Sequence, residues 1–176
     1  MRFNFTHSNI NVFISQDYEL AMFQNTTPVT SQDSSNTESK DIAKSSVIKM
    51  LTRHGITPTQ QRLEIGMVLF RKDQHLSADQ LLEMVNTEGS IASKATVYNT
   101  LGLFARKGLI REVIVDSTKV FYDSNTRPHH HFYNIDTGTL HDVAADQLQI
   151  TGIPTPPDAA LVKDVEVIIR IQQKND

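Results

Sequence analysis

The 176-residue chain contains no cysteine. That excludes disulfides, iron–sulfur ligation and a structural zinc–cysteine site, so packing alone must hold the core. Any metal site must be built from nitrogen and oxygen, which suit iron, manganese, zinc or haem better than copper(I). No apolar run approaches the roughly 20 residues that cross a bilayer. The opening Arg2-Phe-Asn-Phe-Thr-His7 is too polar for a secretory core. The expectation is a cytoplasmic protein without a membrane partner. A His-Glu-x-x-His helix, a glycine-rich phosphate loop, a serine elbow and internal repeats are missing as well. These absences argue against an enzyme, a histidine-based metalloenzyme included.

What is present is unevenly charged. Residues 1–40 hold two basic and four acidic side chains, 41–128 twelve and nine, and 129–176 three and seven. A positive middle between negative ends fits a DNA-facing module joined to a domain with another task.

Residues 24–40 are rich in Ser, Thr, Asn and Gln and lack apolar periodicity, so 1–40 reads as a disordered or extended tail. From 41 the pattern sharpens. Ile42, Val47, Ile48 and Leu51 lie at helical spacing, and Gly55 follows as a C-cap. Thr57-Pro58 restarts a helix whose buried face is Leu63, Met67 and Phe70. Ser77 caps a third helix with Ala78, Leu81, Leu82 and Val85 inward. A fourth spans 93–107, with Val97, Leu101 and Phe104 on one face. Two β-rich runs, 110–115 and 118–122, then form a hairpin. Helices followed by a hairpin read as a winged helix-turn-helix over 41–127, whose fourth helix is placed to enter a major groove.

Beyond Pro128 the texture is β: a hairpin of 131–135 and 140–143, a Pro154, Pro156, Pro157 break, and a final strand over 161–171. The fold class expected is α+β, an N-terminal winged helix-turn-helix followed by a small α/β dimerisation domain over 128–176. A domain so small buries its faces best in a homodimer.

On the fourth helix Ser93, Lys94, Thr96, Tyr98 and Asn99 point outward. Hydroxyls and lysine suit phosphates, Asn an adenine edge, and Tyr a thymine methyl. Arg62 and Lys119 can add backbone contacts to double-stranded DNA. Downstream, His129-His130-His131 is a candidate metal or haem cluster. Strand alternation puts His129 and His131 on one face and His130 on the other.

Three stretches, Gly55-Ile-Thr-Pro-Thr-Gln-Gln-Arg62, His75-Leu-Ser-Ala-Asp-Gln-Leu81 and Ser93-Lys-Ala-Thr-Val-Tyr-Asn-Thr-Leu101, resemble the ferric uptake regulator (Fur) superfamily. The match continues through Lys107-Gly-Leu-Ile110 and Val120-Phe-Tyr122 and covers about 41–172. Asn99 departs from the arginine common at that place. It is similar to the Irr (iron response regulator) branch, as are His129–Gly138 and the closing Val165-Glu-Val-Ile-Ile-Arg-Ile171. The resemblance implies a dimeric regulator on AT-rich, roughly palindromic operators near iron and haem genes. It also implies a regulatory hinge site of His75, Tyr122, His131 and Asp142 for iron or manganese, in which Tyr122 stands where a glutamate is usual. A second site of the superfamily is dismantled, with Pro128 and His130 at ligand places and Gln149 near another. In the Irr branch haem releases DNA, and the ligands for haem here would be among His129, His130 and His131. The Fur-type alternative senses ferrous or manganous ion without haem.

Overall fold

The computed structural model describes residues 2–4, 11–14, 42–158 and 160–173. The described residues fall into two compact units, one within 42–127 and the other from 128 onward together with 2–4 and 11–14. The serine- and threonine-rich 24–40 segment lies outside the described residues.

In the first unit α1 is Lys44–Arg53, α2 Gln60–Leu69, α3 Ala78–Val85 and α4 Lys94–Arg106. Between α2 and α3 runs the short strand β3, His75–Leu76, and after α4 come β4, Arg111–Asp116, and β5, Lys119–Asp123. These strands form one antiparallel sheet in the order β3-β5-β4. Val47, Leu51, Leu63, Ile65, Leu69, Leu81, Val97, Leu101 and Phe104 make the shared core.

Local chemistry sets the boundaries. α1 ends where Gly55 adopts φ +66° and the Ile56 N–H returns to the Leu51 carbonyl at 2.9 Å, a turn that only glycine enters without strain. α2 begins later than Thr57-Pro58 suggests, because the Thr59 hydroxyl accepts the Arg62 N–H at 3.4 Å and becomes the cap. Its buried face is also wider than expected: Leu63, Ile65, Gly66 and Leu69 are buried while Met67 and Phe70 are half-buried. A helix packed against α1, α3 and α4 has no single apolar stripe. At α3, Ser77 and Gln80 satisfy each other's backbone N–H groups in a capping box.

The turn from α3 to α4 hangs on one side chain. Asn86 Oδ1 accepts the Ile91 and Ala92 N–H groups at 2.8 and 3.0 Å, and Asn86 Nδ2 donates to the Ala92 carbonyl at 2.8 Å. The next residue, Ser93, caps α4 by accepting the Thr96 N–H at 3.2 Å. The start of α4 is thus fixed by polar contacts, and its body by the buried Val97, Leu101 and Phe104.

In the second unit β6, His129–Asn134, pairs antiparallel with β7, Thr139–Ala144, and parallel with β9, Ile168–Ile171. A 3-10 turn, Ala145–Gln147, leads to β8, Leu148–Thr151. β8 pairs with β2, Asn11–Ile14, which in turn pairs with β1, Arg2–Asn4. The described parts of the N-terminal tail are therefore extended and sheet-bound. Phe132, Val143 and Leu148 form a small core with Val167, Ile169 and Ile171 against it.

Two expectations need correction here. Among its described residues this unit holds no α-helix, because prolines and short alternating β-branched runs occupy the chain after β8. The final strand is only Ile168–Ile171, not 161–171. Its pairing starts at His131↔Ile168, and β6 itself begins only two residues earlier, at His129, leaving the chain before Glu166 without a strand to follow.

Candidate metal centre and nucleic-acid interface

β6 brings the histidine triplet out of solvent: His129, His130 and His131 are 5%, 6% and 0% exposed. The pleat sends alternate side chains to opposite faces. His129 and His131 meet on one face, Nε2 to Nε2 at 2.9 Å, with their rings edge to face. The register sets Asp142 of β7 opposite His131, and its Oδ1 lies 3.7 Å from His129 Nε2. One donor atom from each of His129, His131 and Asp142 lies within 4.8 Å of the others.

This set fits a divalent ion. Two imidazole nitrogens about 2.1 Å from one ion and at about 90° to each other are about 3 Å apart, close to the separation here. Two neutral nitrogens and one carboxylate suit iron or manganese better than a soft metal. His130 points the other way, and its Nδ1 accepts the Val167 N–H at 3.3 Å. Burial, and next the proximity of His129, push its pKa below the usual histidine value.

The other expected ligands belong to the helical unit. His75 Nε2 lies 3.7 Å from Asp123 Oδ1, across the β3–β5 register that pairs them. Asp123 is fully buried, and its Oδ1 also accepts the Asn125 N–H at 2.7 Å. Tyr122, the neighbouring strand position, turns instead into the helical core, where burial raises its phenol pKa. Sequence reasoning passed over Asp123. The signal was a carboxylate at a strand end one residue from the assigned tyrosine, on the opposite face of the pleat.

The polar residues of α4 are gathered on the surface of the helical unit. Thr96 and Asn99 line an open cleft of about 280 Å³ with Thr59, Gln61, Arg62 and Thr100. Arg62 is anchored by donating to the Thr57 carbonyl at 2.8 Å. Ser93 and Lys94 are exposed at the start of the helix, and Tyr98 is 44% exposed one turn on. Lys94 forms a 2.8 Å ion pair with Asp79 and lies 5.5 Å over the Tyr98 ring. The hydrogen bond and charge of Asp79 raise the Lys94 pKa. Lys119 is exposed at the start of β5. Ser93, Lys94, Tyr98 and Asn99 of α4 are thus exposed, with Arg62 from α2 beside Thr96 and Asn99 in the cleft. Among the described residues no helix is long and apolar enough to cross a membrane.

Comparison with known proteins agrees with this architecture. The peroxide-responsive repressor PerR of Staphylococcus epidermidis is 29% identical over 115 residues, covering 65% of this chain and 77% of that protein. The manganese-containing ferric uptake regulator structure from Pseudomonas aeruginosa superposes with TM-score 0.56 at 18% identity, over 73% of this chain and 98% of that one. The iron-containing regulator from Francisella tularensis gives TM-score 0.54 at 24% identity, over 68% and 93%. At such identity the two structures speak for the fold, an α+β arrangement of helices and small sheets. Residues 53–153 match the model of the ferric uptake regulator family, more than half of the chain, and the protein belongs to that family.

Proposed function

We propose that this protein is a metal-responsive, DNA-binding transcription regulator that uses His129, His131 and Asp142 to hold ferrous or manganous ion. The observation that carries this reading is the buried 2.9 Å pair of imidazole nitrogens with a carboxylate in reach. His75 joins the ligand set on the family resemblance. Asp123, rather than the core-packed Tyr122, is the carboxylate we assign beside it. A divalent ion held by these donors would supply a positive charge at the site.

Residues 41–127 act in this reading as a winged helix-turn-helix, with α4 in the major groove. Asn99 and Tyr98 read base edges while Ser93, Lys94, Thr96, Arg62 and Lys119 hold phosphates. Residues 128–176 sense the ligand and form the homodimer, so that two reading helices reach the halves of an AT-rich, roughly palindromic operator. Metal occupancy sets the affinity of that pair for DNA.

The buried pair favours a bare ion over haem, since a porphyrin needs open space beside its axial ring. Gel-shift titrations on operator DNA with manganous chloride, and separately with haemin, test the choice. Manganese is expected to tighten binding, and Asp142→Ala to abolish that effect. A response to haemin alone, with a Soret band lost in a variant carrying His129, His130 and His131→Ala, would establish the Irr-like reading instead. Peroxide response is a second reading, favoured by the staphylococcal relative. Loss of the gel shift after hydrogen peroxide treatment of the iron-loaded but not the manganese-loaded protein would support it.

A further inference from the structure

The segment leading into β9 grips the histidine strand. The His131 N–H donates to the Val167 carbonyl at 2.9 Å, and the Val167 N–H donates to His130 Nδ1 at 3.3 Å. The residue before Val167 is Glu166, whose Oε1 lies 3.2 Å from His131 Nδ1. His131 is fully buried, and the Glu166 side chain is one-quarter exposed (25%). The two ring nitrogens of His131 therefore have different neighbours: a carboxylate at Nδ1, and the Nε2 of His129 at Nε2.

A neutral imidazole carries one proton, and only the nitrogen without it can bind a metal. A carboxylate beside Nδ1 stabilises the proton there and leaves the lone pair on Nε2. We propose that Glu166 is a positioning residue for the metal site. It keeps the His131 proton on Nδ1 and turns Nε2 toward an ion shared with His129 and Asp142. The inference rests on the metal-site reading above and adds a residue outside the β6–β7 hairpin that supplies those three donors. Carboxylates that orient a ligating histidine in this way typically carry 10–100-fold in metal affinity.

The test uses the full chain. Two-bond proton–nitrogen correlation spectra of the metal-free protein read the His131 tautomer directly, with no variant required. Manganese affinity is then measured by calorimetry for the unaltered protein and for Glu166→Ala, Glu166→Gln, Asp164→Asn, Asp142→Ala and His129→Ala. We expect an Nδ1-protonated His131. Glu166→Ala should weaken manganese binding about 10–100-fold and shift proton population to Nε2. Glu166→Gln, whose amide oxygen still faces Nδ1, should keep the tautomer and lose less. Asp164→Asn, exposed on the same segment, should change neither. His131 protonated on Nε2 in the unaltered protein, or Glu166→Ala with undiminished affinity, overturns the proposal. Asp142→Ala and His129→Ala both binding manganese normally would instead overturn the site reading beneath it.

Discussion

Replacing Asn86 by alanine removes three hydrogen bonds to the backbone of residues 91 and 92, of 2.8, 3.0 and 2.8 Å. Each such bond contributes about 0.5–1.5 kcal/mol net. Ala92 is 3% exposed, so water has little access to its N–H and carbonyl left behind, while the Ile91 N–H keeps the Gly89 carbonyl at 3.0 Å. The sum is a loss of about 3 kcal/mol, a large part of the roughly 5–15 kcal/mol that holds a domain folded. At a urea slope of about 2 kcal/mol per molar, the midpoint should fall by about 1.5 M. Circular dichroism at the helical minimum is the assay, since the described α-helices all lie within 44–106. Asn86→Asp keeps the two accepted bonds but loses the donated one, so its midpoint should fall between the two. Because this turn sets the first residue of α4, DNA affinity should fall in the same order. A midpoint shift below about 0.3 M for the alanine variant would refute the idea that Asn86 holds the turn.

Gly66→Ala places a methyl 2.7 Å from Val47 Cγ1 in the fully buried α1–α2 contact. Overpacking of about 1–3 kcal/mol outweighs a helix-propensity gain of about 1 kcal/mol, so urea melts should show net destabilisation. Adding Val47→Ala should give a double variant more stable than the sum of the two single losses. Asp79→Asn releases Lys94 from its 2.8 Å ion pair; the salt dependence of DNA binding should steepen by about one phosphate contact. The Asp116 carboxylate accepts the Thr118 hydroxyl and N–H at 2.7 and 2.8 Å, which holds its pKa below the usual 3.8. Its contribution is present above pH 4 and lost as pH falls through the depressed value, so the Thr118 amide resonance should move below about pH 4. A Thr118 shift centred at neutral pH would contradict this.

The helical unit was legible where independent signals coincide. For α4 the Val97-Leu101-Phe104 face read from the sequence coincides with the element that the Ser93 cap and Gly108, at φ +69°, bound in the fold. The start of α2 was not, because Thr57 and Thr59 are both capable caps and only the fold selects Thr59. Periodicity is silent on Asn86, a turn residue whose partners lie five and six positions away. At the site, alternation correctly separated His130 from His129 and His131, since that rule needs only local geometry. It could not choose between Tyr122 and Asp123 without the strand register, where a slip of one residue exchanges core and site faces. Glu166 was hidden for a related reason: its contact with His131 depends on a parallel pairing between distant segments.

That parallel pairing also orders events during synthesis. The β6–β9 contact joins residues 131–134 to 168–171, and β2, near the start of the chain, waits for β8. The ribosome delivers all of residues 42–127 before the last strand emerges, so the helical unit can fold on the nascent chain while the histidine sheet is still incomplete. The histidine-bearing strand therefore acquires its β9 neighbour only once residues 168–171 have been made, well after every residue of the helical unit has been joined to the chain.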